Sequence, residues 1–71
     1  MNMTQHELIL KYMNDFGSIS PMEAFRDLGI TKLATRISEM SRMGYSFSKT
    51  LESSKNRYGQ SVHYMRYANA V

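Results

Sequence analysis

"SISPMEAFRDLGITKLATRISEMSRMGY", residues 18–45, decides the fold. Ser20, Pro21 and Glu23 form a helix start. The serine hydroxyl can accept from the third helical N–H, the glutamate can reach back to the cap, and proline at the first position forfeits no hydrogen bond. A helix over 21–28 follows, with Met22, Ala24, Phe25 and Leu28 as its apolar positions and Ile19 placed to staple against Ala24 or Phe25. Gly29 ends it. Gly29, Ile30 and Thr31 then read as a tight connection: glycine turns the chain, Ile30 points inward and Thr31 caps a third helix over 32–43, closed by Gly44. Two helices joined by a three-residue turn containing glycine form a helix-turn-helix pattern.

Upstream the same grammar recurs. Thr4 with Glu7 is a second capping box, and Leu8, Ile9, Tyr12, Met13 and Phe16 repeat at helical spacing before Gly17, which predicts a helix over 5–16. Downstream the period changes from 3.6 to 2. "YSFSKTLE" alternates, "SVHYMRYA" is rich in strand formers, and the polar "SSKNRYGQ" (53–60) between them reads as the loop of a β-hairpin over 45–68. If odd positions share the inner face, Phe47, Leu51, Met65 and Tyr67 join the core. Met13, Met22 and Met40 read as core gap-fillers, and residues 69–71 as a fraying end. The expected fold class is α+β: three helices followed by a two-stranded hairpin, in one domain spanning 1–71.

Composition narrows the functional classes. A chain of 71 residues without cysteine has a small core, no disulfide frame and no thiolate metal site. His6 and His63 are isolated, and no metal-binding, phosphate-loop or nucleophile motif is present, so an enzyme, a cofactor and a metal are not expected. No apolar run approaches the roughly 18 to 20 residues of a membrane span. "MNMTQHELIL" lacks the form of a signal peptide, so a soluble cytoplasmic protein is the expectation. The net charge of +3 favours a polyanionic or acidic partner.

Three helices followed by a hairpin resembles the winged helix-turn-helix family, and in particular the short winged-helix proteins of phages and mobile elements. The resemblance is carried by the capped stretch quoted above and by "FSKTLESSKNRYGQSVHYMRY", residues 47–67. It implies that the third helix enters the DNA major groove while the hairpin loop, the wing, lies along the backbone or in the minor groove. On this sequence Lys32, Thr35, Arg36 and Glu39 become the base-facing candidates, and Lys55, Asn56 and Arg57 the wing contacts. A transcription regulator or an excisionase-like factor is the implied role.

At 3.6 residues per turn Lys32, Thr35, Arg36, Glu39 and Arg42 line up on one flank of the third helix and Leu33, Ile37 and Met40 on another, and that cationic flank, Arg42 included, is the expected DNA-binding surface. Arg36 can take guanine O6 and N7 together, Thr35 can meet a thymine methyl, and Glu39 can accept from cytosine N4 or pair with Arg36 or Arg42 along the helix. Lys32 near the helix start would meet phosphate or a base edge. The helix starts at Ser20 and Thr31 offer free N–H groups to phosphate. Lys49 adds a cation on the incoming strand, and Arg57 suits a narrow minor groove. The rival reading is a winged helix that recognises an acidic protein, such as a phage-encoded inhibitor of the anti-CRISPR type; Glu39 within the cationic flank is the feature that favours it. A lone domain of this size would hold DNA weakly, so a homodimer or adjacent copies are expected, with the terminal strand or the first helix as the contact.

Overall fold

The first two helices are bounded by the local chemistry that starts and stops them. The computed structural model describes residues 2–70. α1 (Gln5–Phe16) opens on Thr4, whose hydroxyl accepts from the Glu7 N–H while the Glu7 carboxylate accepts from the Thr4 N–H. α2 (Pro21–Leu28) opens on the same reciprocal pair made by Ser20 and Glu23. It closes on Gly29, at a φ of 71° that disfavours any residue with a Cβ. The Ile30 N–H reaches back to the Ala24 carbonyl at 3.0 Å, the longer bond of a Schellman ending, and this folds the buried Ile30 under the turn.

α3 (Leu33–Arg42) is shorter than expected at both ends. Thr31 is not its cap. Lys32 holds that position, because its carbonyl accepts the first helical bond from the Arg36 N–H at 3.1 Å, and no side chain caps the helix. At the other end Met43 follows the last helical residue, and the Tyr45 N–H bonds the Met40 carbonyl across Gly44.

β1 (Phe47–Lys55) and β2 (Ser61–Asn69) pair antiparallel along their whole length, with Leu51 opposite Met65 and Lys49 opposite Tyr67. The strands take in Ser53, Ser54 and Lys55, so the turn is confined to 56–60 rather than 53–60. The Gly59 N–H bonds the Asn56 carbonyl and Gly59 sits at a φ of 79°, which makes a three-residue connection with a glycine bulge. On its other side β2 exchanges two backbone bonds between Tyr67 and Ile19, so the terminal strand lies inside the sheet and β1 forms an outer edge. Asn69 pairs with Phe47 and the Ala70 N–H bonds the Ser46 carbonyl, so 69 and 70 are held rather than frayed; Val71 lies outside the described residues.

The core collects one face from every helix: Ile9, Tyr12 and Met13 from α1, Ile19 and Ala24 around the start of α2, Ile30, then Leu33, Ile37 and Met40 from α3. Tyr67 closes it from the sheet, with Phe47 and Met65 packed half-buried beside it. Four residues read as apolar-face positions stay outside it, Phe16 and Phe25 being 70% and 59% exposed on α1 and α2. Leu51 is 66% exposed because it lies beyond the stretch of hairpin that rests on the helices, and Met22 points outward from the first turn of α2.

Candidate nucleic-acid interface

Which charges are satisfied within the chain defines the site. The six acidic side chains are all engaged. Glu7 caps α1, Asp15 pairs with Lys11, Glu23 and Glu52 with Arg66, Asp27 with Arg26, and Glu39 with Arg36. Among the described residues Lys32, Arg42, Lys49, Lys55 and Arg57 form no ion pair, and all five are exposed. The uncompensated positive charge therefore falls on the two ends of α3 and on the hairpin.

Along α3 the buried row Leu33, Ile37 and Met40 fixes which residues face away. The opposite row is Thr35, Ser38 and Arg42, spaced three and four apart, with Thr31 and Lys32 exposed just before it. Ser38 was not among the residues expected to meet DNA, although helical spacing alone sets it between Thr35 and Arg42.

Arg36 and Glu39 sit on the flank turned toward the start of α1. The Arg36 Nη2 lies 3.1 Å from a Glu39 carboxylate oxygen, the other oxygen is 2.9 Å from the His6 Nε2, and Thr4 and Gln5 complete the shallow pocket around them. The Arg36 side chain is 29% exposed, and its Nε is buried without a partner. The His6 hydrogen bond, with the Arg36 charge behind it, holds the Glu39 carboxyl below the usual carboxylate range. His6 lies 33 positions before Glu39. No local sequence signal reports such a contact.

The hairpin splits into an anchored half and a free half. Near the helices, Arg66 donates from Nε to Glu52 at 2.8 Å and from Nη1 to Glu23 at 2.9 Å and Ser18 Oγ at 3.0 Å. These bonds raise the Arg66 pKa and lower that of Glu52; at Glu23 burial opposes the same effect but is outweighed by Arg66 and the Ser20 N–H. Beyond that anchor residues 53–63 are all exposed. At the tip the Asn56 Oδ1 accepts from the Tyr58 and Gln60 N–H groups, and its Nδ2 donates to the Gln60 side chain. Asn56 is thereby a clamp for the turn. Arg57 and Tyr58, the latter 85% exposed, stand at the apex of a fixed loop, with Lys55 at the end of β1.

Among the described residues no cluster of three or more His, Asp or Glu side chains is placed to hold a metal ion, and no helix is long and apolar enough to cross a membrane. The profile of the winged helix-turn-helix domain matches residues 4–70, and the chain belongs to that family. Three helices followed by an antiparallel hairpin, in this order, are its architecture, and membership points to DNA binding. No curated protein and no solved structure matches the chain.

Proposed function

We propose that this protein binds double-stranded DNA without catalysing a reaction on it, as a small cytoplasmic regulator or an excisionase-like architectural factor. The outward row of α3, Thr35, Ser38 and Arg42, enters the major groove. Thr31 and Lys32 meet the flanking phosphates, and Lys49, Lys55 and Arg57 follow the backbone with the hairpin. The observation that carries this reading is the distribution of charge: every Asp and Glu side chain is engaged internally, while among the described residues the five partnerless cations fall at the ends of α3 and on the hairpin, the elements that the resemblance assigns to DNA. Glu39, the feature that favoured an acidic protein partner, is held between Arg36 and His6.

Titration of a labelled duplex over a range of salt concentrations tests the reading. With about four to five phosphates neutralised, log K falls against log salt with a slope of about −3.6 to −4.5. No binding at about 50 mM salt, or binding that ignores salt, overturns it.

A further inference from the structure

We infer that two copies of this chain associate through the outer edge of β1, which pairs antiparallel with itself about Leu51 to make one continuous four-stranded sheet. The hydrogen-bond parity of the hairpin supports this. The Ala70 N–H bonds Ser46 and the Asn56 N–H bonds Gln60, so the even positions of β1 direct their backbone groups at β2. Phe47, Lys49, Leu51, Ser53 and Lys55 therefore turn their N–H and C=O groups outward. Among the described residues no strand lies beyond them. An unpaired edge of this kind is a template for another strand.

The sequence of β1 selects the occupant. Leu51 is the middle residue of Phe47–Lys55 and one of the outward-bonding positions, so a two-fold axis through it uses the entire strand. In that register Leu51 meets its own copy, Lys49 meets Ser53, Phe47 meets Lys55, and on the other face Thr50 meets Glu52. No like charges stand opposite one another. The exposed Leu51 pair adjoins Met65 on both sides, giving an apolar row across the new sheet. Sliding the partner by two residues toward the tip sets Glu52 against Glu52 and Lys49 against Lys55, which is unfavourable. Sliding it the other way shortens the ladder. A second copy fits this edge in one register, whereas an unrelated extended peptide gains nothing from the symmetry. The pairing is independent of DNA.

Cysteine substitution in this cysteine-free chain reads the register directly. Directly opposed, hydrogen-bonded residues lie about 5.5 Å apart between Cα atoms, inside the disulfide range, so oxidised Leu51→Cys gives a covalent dimer. Ser53→Cys, about 13 Å from its own copy along the strand, gives far less. Light scattering on the unmodified chain shows a mass rising from 8.2 kDa toward twice that with concentration. Leu51→Lys opposes two ammonium groups and raises the dissociation constant about tenfold, while the exposed position leaves the monomer folded. A chain monomeric at every concentration overturns the inference. So does equal cross-linking of the two cysteine variants, or a dimer indifferent to Leu51→Lys.

Discussion

One oxygen of Glu23 serves two structures at once: its Oε1 accepts the Ser20 N–H at 3.0 Å and the Arg66 Nη1 at 2.9 Å. The box that starts α2 is thus also the post to which the hairpin is tied. Arg66 donates from its Nε to Glu52 on the neighbouring strand, so a single guanidinium joins helix, loop and sheet. Replacing it by methionine keeps the apolar stem and leaves two largely covered carboxylates without their cation. Arg66→Met should cost about 1–3 kcal/mol in urea unfolding. In a double-mutant cycle with Glu23→Gln the two effects should fall short of adding by at least about 0.5 kcal/mol. Simple additivity would show that the bond does not hold the hairpin.

The joint between α1 and α2 makes stability depend on pH at both ends of the scale. The Asp27 carboxylate accepts from the Arg26 Nε at 2.8 Å and Nη2 at 3.0 Å, and from the Tyr12 hydroxyl at 2.6 Å. These bonds, Arg26 first, lower its pKa from the ordinary 3.8 to about 2. A carboxyl that ionises more readily when folded stabilises the fold fully above about pH 4, and that contribution drains away as pH falls toward 2. Glu23, Glu39 and Glu52 are lowered too and act with the same sign. Tyr12 runs the other way: its pKa is raised, mainly by the bond to Asp27, so its contribution is present below pH 10.0 and lost as the phenol ionises above it. Unfolding measured against pH should therefore flatten at the acid end in Asp27→Asn and at the alkaline end in Tyr12→Phe. Profiles unchanged from the parent chain would remove this joint from the account.

The fold is legible in the sequence where a feature is written within a few residues, and not where it depends on distant ones. Both capping boxes, Pro21 and the glycines at 17 and 29 are local, and α1 and α2 have the expected bounds. The start of α3 was misplaced because Thr31 is a good cap by composition, while the path out of Gly29 makes Lys32 the residue whose carbonyl takes the first helical bond. The polar run Ser53–Lys55 looked like loop, yet pairing with Ser61–His63 keeps it in the ladder. Alternation put Leu51 on the inner face without saying how far the helical body reaches under the sheet. The flank of α3 was legible as cationic and polar. That its Arg36 and Glu39 turn to α1 depends on His6, whose approach is purely tertiary.

That last contact changes which arginine should matter most on DNA. Sequence alone favoured Arg36 as the guanine reader, but its guanidinium is occupied by Glu39 and lies against the start of α1, whereas Arg42 is exposed and unpaired. A cation already neutralised within the protein releases few counterions from DNA, and a free one releases its full share. Arg42→Ala and Lys55→Ala should each weaken binding and reduce the salt slope by about 0.9, and Lys55→Ala should do so for every duplex alike without altering sequence preference. Arg36→Ala should leave that slope unchanged. Glu39→Gln completes the test, because loosening the pair frees Arg36 to reach the duplex and should steepen the slope. If instead Arg36→Ala alone relaxes preference at one base pair by about 1–3 kcal/mol, then Arg36 leaves Glu39 on binding and reads that base itself. The comparison needs only salt titrations of four variants against one set of duplexes, and the order of their slopes decides between the two arginines.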